Sequence, residues 1–169
     1  ELARLPVDVI ATFGTPASRA AKAATTTIPI VAISIGDPVR AGLVQSLARP
    51  GGNITGLTTL GAELTPKLLD ILGQALPGLS RVAVLWHPGG YGDLTMREMR
   101  KQAADAAHAL GLQLDFVAVH APDGLEAAFA TITAAGAQSL FQFPSPMLFV
   151  ERRRIAELAL RHRLPAMFN

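Results

Sequence analysis

Residues 33–60, ISIGDPVRAGLVQSLARPGGNITGLTTL, decide how the chain is organised. The run enters as the end of an apolar strand over Ile28–Ile35. It turns at Gly36-Asp37-Pro38, where the carboxylate can cap free N–H groups and Pro suits a first helical position. Val39, Leu43, Val44 and Leu47 share one face at helical spacing, which predicts a short amphipathic helix. Pro50-Gly51-Gly52 stops it. A second β-like run leaves over Asn53–Thr59. A connector between two strand systems needs these features, and an ordinary α/β unit contains them too. The pattern alone leaves both readings open.

Working outward, Leu5–Phe13 reads as a buried parallel strand, and Gly14-Thr15-Pro16 starts an alanine-rich helix over Ala17–Thr25. Beyond the opening stretch, Thr65-Pro66 predicts a helix start and Pro77-Gly78 its stop. Arg81–Trp86 is a short apolar strand, followed by a loop from His87 to Asp93. Thr95/Glu98 and Asp123/Glu126 have capping-box spacing before two further helices. Leu112–His120 and Ala137–Phe143 read as strands. Ser145-Pro146 starts a last helix running to about Arg163, and Ala166–Asn169 begins another strand. Strict β-α alternation with short loops predicts parallel sheets covered by helices on both faces, an α/β, Rossmann-like, doubly wound architecture.

Half of the 169 residues are hydrophobic and 17% are charged, enough for a packed core. The formal charge of +2 reflects a slight excess of basic residues. Its densest run, Arg152-Arg153-Arg154, lies beside Glu151 and Glu157 in a helical pattern, which reads as a solvated face and not a nucleic-acid site. There are no cysteines, so disulfides and thiolate metal sites are excluded. No run has transmembrane length, and the first residues are not a signal peptide. Export would therefore rely on a segment outside this chain.

In open parallel sheets ligands bind beyond the carboxyl ends of the strands. Four loops fit that position: Gly14-Thr15-Pro16, Gly36-Asp37-Pro38, His87 to Asp93, and Pro144-Ser145-Pro146. The Thr15 turn, with Ala17 and Ser18, best suits an anion, because no acid stands beside it. Asp37 could receive an ammonium or hydroxyl, or spend itself capping its own helix. Phosphate-loop and nucleophile-elbow motifs are absent, and Gly89-Gly90-Tyr91-Gly92 resembles a phosphate loop in glycine content alone. His87 and His120 end neighbouring strands without carboxylates to complete a metal site.

Two blocks carry a family resemblance: Gly36-Asp37-Pro38-Val39 through Ser46-Leu47-Ala48-Arg49-Pro50-Gly51-Gly52-Asn53-Ile54-Thr55-Gly56, and Leu76-Pro77-Gly78-Leu79-Ser80-Arg81-Val82-Ala83-Val84-Leu85. With Val7–Ile10, Gly14–Ala17 and Arg152–Ala159, they resemble the ABC-transporter substrate-binding proteins that include tryptophan- and tyrosine-binding lipoproteins. The resemblance implies a periplasmic-binding-protein type I fold, with an incomplete first lobe over 1–52 and a nearly complete second lobe over 61–169. Between them it implies a hinge crossing over 53–60, with Gly52, Asn53, Thr55 and Gly56 as hinge residues. It implies a small ligand held between lobes, a membrane permease and its ATPase as partners, no catalysis and no cofactor. It also implies a periplasmic or lipid-anchored location outside the cytoplasmic membrane. The family usually reads aromatic-Asn-Pro where this chain has Trp86-His87-Pro88, so that contact would fall to His87.

The expected function is a solute-binding component of an ABC importer for a carboxylate-bearing ligand such as an amino acid. Thr15, Ala17 and Ser18 would hold the carboxylate and Asp37 an amino or hydroxyl group, with His87 and Ser145 approaching from the other lobe. Two alternatives stand beside it. One is an enzyme on a flavodoxin- or Rossmann-like sheet using the His87 loop. The other is a truncated, non-transporting relative that self-associates, with a homodimer through the open edge of the first-lobe sheet.

Overall fold

A computed structural model of the chain describes residues 4–58, 61–91 and 93–168. Thr59 and Leu60 of the expected crossing, Gly92 of the glycine-rich loop, and Asn169 lie outside the described residues. The chain divides into two compact units, Glu1–Leu60 with Tyr91–Arg97, and Gly61–Gly90 with Glu98–Asn169.

The first unit is built on a three-stranded parallel sheet in the order β1 (Ile10–Phe13), β2 (Ile30–Ile35), β3 (Ile54–Thr58). Helix α1 (Thr15–Ala24) makes the crossover from β1 to β2. The register sets Ile10 beside Ile30 and Ile30 beside Ile54. Side chains alternate across a strand, so Ile10, Ile30, Ala32 and Ile54 share one face. That face is buried, with Leu43 completing its core and Ala21, Ala41 and Val44 packed against it. Phe13, Val31, Ile33 and Leu57 point the other way and are exposed, Leu57 by 70%. A parallel sheet normally has both faces covered; among the described residues this apolar face is not. Ser34 has φ 56 and sits where the β2–β3 register shifts, a β-bulge.

Residues 54–58 pair with β2 along their length and form the third strand of this sheet. The amphipathic helix expected after Asp37 does not form; turns occupy 38–42. The carboxylate caps as anticipated, its Oδ1 accepting from the amides of Val39 and Arg40 at 3.0 Å each. The Pro38 carbonyl then accepts from both Leu43 and Val44, and Gly42 at φ 69 reverses the chain. Leu43 alone of the four apolar residues is fully buried, while Leu47 is 66% exposed.

The second unit contains α2 (Gly61–Ala75), β4 (Arg81–Trp86), α3 (Asp93–Ala109), β5 (Gln113–Ala118), a 3-10 turn at Pro122–Gly124, α4 (Leu125–Ala134), β6 (Ser139–Gln142), α5 (Pro146–Val150), α6 (Arg152–Arg161) and β7 (Ala166–Phe168). The first turns of α3 cluster with the first unit. The four strands are parallel in the order β5-β4-β6-β7. Ala83, Leu85 and Leu140 face a core made with Leu125, Phe129 and Ile132 of α4, Leu148 of α5, and Ile155, Leu158 and Ala159 of α6. On the opposite face Arg100 of α3 lies over the rings of Trp86 and Phe116, at 5.0 and 4.7 Å. Helices therefore cover both faces of this sheet.

Several expected boundaries shift. The first strand is Ile10–Phe13 and not Leu5–Phe13, with Leu5 and Val9 exposed. Asp123 lies in the 3-10 turn and makes no cap bond to α4. Helix α2 begins at Gly61 and carries Pro66 inside it, so no bond from residue 66 reaches the carbonyl four residues back. Thr95 lies inside α3 instead of capping it. The last long helix is broken at Glu151 (φ −82, ψ 6) into α5 and α6.

Candidate ligand-binding site

Strand order locates the crevice in the second unit. The chain leaves β4 into α3 on one face, and it leaves the adjacent β6 into α5 on the other. The loops diverge between these two strands, which is the topological switch point where open α/β sheets hold ligands. His87 follows β4 and Ser145 precedes α5, so both stand at this crevice. His87 Nδ1 lies 3.1 Å from Ser145 Oγ. Ser145 is 6% exposed and caps α5, its hydroxyl oxygen accepting from the Leu148 amide at 3.5 Å. The His87 carbonyl accepts from the Gly90 amide at 3.0 Å, folding the loop back over the pair.

Burial, and behind it the charge of His120, hold the His87 imidazole below the usual histidine range. The sign follows. Above about pH 6.5, the ordinary histidine value, both folded and unfolded chains keep His87 neutral and it contributes nothing. As pH falls below that value the unfolded chain takes up the proton first, so stability declines until the folded-state value is passed. Urea midpoints measured from about pH 8 to about pH 5 are expected to fall less steeply in His87→Gln than in the parent chain. Equal slopes would show that His87 contributes nothing to the pH dependence.

In the first unit, β1 and β2 run parallel, so Thr15 and Asp37 stand at one carboxyl edge. Thr15 is buried, and its hydroxyl oxygen accepts from the Gly36 amide at 3.3 Å, tying the start of α1 to the end of β2. Ser18 is fully buried; its Oγ donates to the Gly14 carbonyl at 2.9 Å and lies 2.8 Å from Thr12 Oγ1. These two hydroxyls therefore have structural partners. Ala17 is exposed on the first turn of α1. Asp37 spends one oxygen on its turn and sets the other 3.4 Å from Arg40 Nε, with 43% of its side chain exposed.

Thr58 belongs to the same edge, its hydroxyl donating to the carbonyls of Ile35 and Gly36. Tyr91 and Thr95 are buried beside Gly36, where a β-carbon would stand 2.7 Å from Thr95 Cγ2 and 3.3 Å from Tyr91 Cδ1. Sequence reasoning gave none of the three a ligand role: Thr58 carries no motif, Tyr91 stood within the glycine-rich loop, and Thr95 was read as a capping residue. It also missed Gln142, 4% exposed at the carboxyl end of β6, whose Oε1 has no hydrogen-bond partner.

The four residues anticipated as a hinge lie in the first unit, just before the boundary between the two units. Asn53 donates through Nδ2 to the carbonyls of Thr25 and Ile28, at the amino end of the first sheet. Gly52 precedes it, and Thr55 and Gly56 are inside β3. A hollow of about 60 Å³ lined by Ile35, Pro38, Val44, Pro50, Ile54 and Thr58 lies beneath the 38–50 turns. It is far below the few hundred Å³ of an ordinary ligand pocket. Among the described residues there is no group of three or more side chains able to hold a metal ion.

A family model described as ABC transporter substrate binding protein matches residues 2–152. The chain belongs to that family. Over 80 residues it is 38% identical to the tyrosine-binding protein of Clostridioides difficile (strain R20291), covering 47% of this chain and 23% of that one. Among solved structures it is similar to an ABC domain in complex with L-Trp from Streptococcus pneumonia, with a TM-score of 0.81 and 18% identity. That match covers 99% of this chain and 56% of the other. It is also similar to a conserved domain protein from Vibrio cholerae, with a TM-score of 0.80 and 24% identity over 95% of this chain and 52% of that one. At these identities the structural likeness establishes the fold. This ABC transporter substrate-binding protein chain spans about half the length of those solved relatives, and its matched stretch covers about a quarter of the tyrosine-binding protein.

Proposed function

We propose that the chain belongs to the solute-binding component of an ABC importer and contributes contacts to a small carboxylate-bearing ligand, an amino acid by class. The observation that carries this reading is the His87–Ser145 couple at the β4/β6 switch crevice, a polar, half-buried pair where a parallel sheet accepts ligands. The exposed carboxylate of Asp37 and the Thr15 helix start supply the contacts from the first unit. The name of the tyrosine-binding relative and the L-Trp bound to the solved one favour an aromatic amino acid. In this reading the units act as two lobes, the chain crosses between them near residues 53–60, and the loaded form is presented to a permease driven by an ATPase. The protein works outside the cytoplasmic membrane without catalysing a reaction. No helix among the described residues is long and apolar enough to cross a membrane.

Calorimetry of the chain against a panel of amino acids tests this. L-tyrosine or L-tryptophan is expected to bind, with weaker binding in His87→Ala. Heat from none of the panel would overturn it. A second reading, self-association, is favoured by the uncovered apolar face of the first sheet. A solution mass of twice the monomer, with no amino-acid binding, would select it.

A further inference from the structure

We infer that His87 and Ser145 form a fixed couple that presents the imidazole Nε2–H at the switch crevice as a hydrogen-bond donor, so that the ligand group it meets is an acceptor oxygen. The ligand part of this inference rests on the binding reading above; the assignment of the proton does not.

A serine hydroxyl has one proton to give. Ser145 Oγ already accepts from the Leu148 amide at the head of α5, and its nearest other polar partner is His87 Nδ1 at 3.1 Å. No bond to another acceptor takes the hydroxyl proton among the described residues, so the couple assigns it to Nδ1, and a neutral imidazole that accepts there carries its own proton on Nε2. Burial holds the ring neutral, and His120 is the titratable neighbour that acts on it among the described residues.

The glycine pair of the loop fits this couple. A β-carbon at Gly89 would stand 3.0 Å from His87 Cε1 and 3.1 Å from Nε2. Glycine thus leaves bare the edge that carries the donor. A β-carbon at Gly90 would stand 3.1 Å from Ser145 Cβ and 3.3 Å from Oγ, so glycine there lets the loop close on the hydroxyl. The glycines that resemble a phosphate loop in sequence are seated on an imidazole and a serine. A donor aimed from this edge suits a carboxylate or carbonyl oxygen and has nothing to offer an ammonium.

Two-bond ¹H–¹⁵N correlation spectra of the labelled chain, recorded above the usual histidine range, read the tautomer directly. His87 is expected to show a protonated Nε2 and a bare Nδ1. Ser145→Ala is expected to mix the tautomers and raise the His87 pKa, because a bond donated to the neutral ring is lost. Ser145→Thr is expected to restore both. A protonated Nδ1 in the parent chain, or no change of tautomer or pKa in Ser145→Ala, would overturn the couple. In the second arm, L-tyrosine is expected to shift the Nε2 resonance and tyramine, which lacks the carboxylate, to leave it in place. Gly89→Ala is expected to weaken L-tyrosine by about tenfold with the tautomer unchanged. Equal shifts from the two probes would overturn the acceptor assignment. No binding of L-tyrosine would count against the functional reading, while the tautomer result would still decide the couple.

Discussion

Gly56→Ala is expected to disrupt the first unit, with a loss of about 3 kcal/mol or more. Gly56 lies inside β3 opposite Ala32, with φ 156, which side chains rarely adopt. An added β-carbon would overlap the Ala32 carbonyl oxygen and stand 2.7 Å from its carbonyl carbon and 2.9 Å from its amide nitrogen. Those atoms are backbone in the central strand and cannot swing aside as a side-chain tip would. The bulge at Ser34 follows directly, so the register from Ala32 to Ile35 depends on this close approach. Gly52→Ala is the matched control, since a β-carbon there meets nothing within 4 Å. Urea unfolding followed by far-ultraviolet circular dichroism would read both. A Gly56→Ala midpoint equal to the parent's would show that β3 does not pair with β2 in this register.

Phe129→Ala is expected to cost the second unit about 3–5 kcal/mol. Phe129 is fully buried in the core joining α4 and α6 to the inner face of the sheet. Its ring also lies 5.7 Å from that of His162, at the carboxyl end of α6. Truncation removes the contact that several elements share and leaves a cavity the surrounding strands cannot collapse into. Trp86, the chain's one tryptophan, sits under Arg100 in this unit, so its fluorescence follows the relevant transition. A fluorescence midpoint unchanged in Phe129→Ala would mean that α4 does not anchor this core. Phe129→Leu, which keeps most of the apolar volume, is expected to lose much less.

The strands and their order of succession were legible because buried parallel strands are short apolar runs bounded by Pro or Gly. Arg81–Trp86 coincides with its expected limits, and Ile30, Ser139 and Ala166 open strands within two residues of theirs. What misled was periodicity without context. Val39, Leu43, Val44 and Leu47 have helical spacing, yet Gly42 takes a left-handed turn and the Pro38 carbonyl closes it, leaving only Leu43 in the core. Ser145 to Arg163 read as one helix because nothing in its composition marks the break at Glu151; that break lets Arg152 Nη1 donate to the Phe149 carbonyl.

The candidate site was read from the sequence to the level of loops. Ser145 and His87 were chosen from different parts of the sequence, and the β5-β4-β6-β7 order brings them to 3.1 Å. Thr15 was chosen as a helix start suited to an anion, with Ser18 adding a hydroxyl; in the fold the two hydroxyls bond to Gly36, Gly14 and Thr12. No spacing rule announces that a hydroxyl is already engaged. Thr58 and Gln142 entered only with the tertiary structure.

The uncovered face of the first sheet has a calorimetric consequence. Unfolding raises heat capacity in proportion to the apolar surface newly given to water. Phe13, Val31, Ile33 and Leu57 already meet water while the sheet is intact, so their outward surface adds nothing on melting. The first unit therefore melts with a smaller heat-capacity step than its length implies, and its stability varies more gently with temperature than that of the second. Covering that face would supply the missing increment, and with it a steeper stability curve.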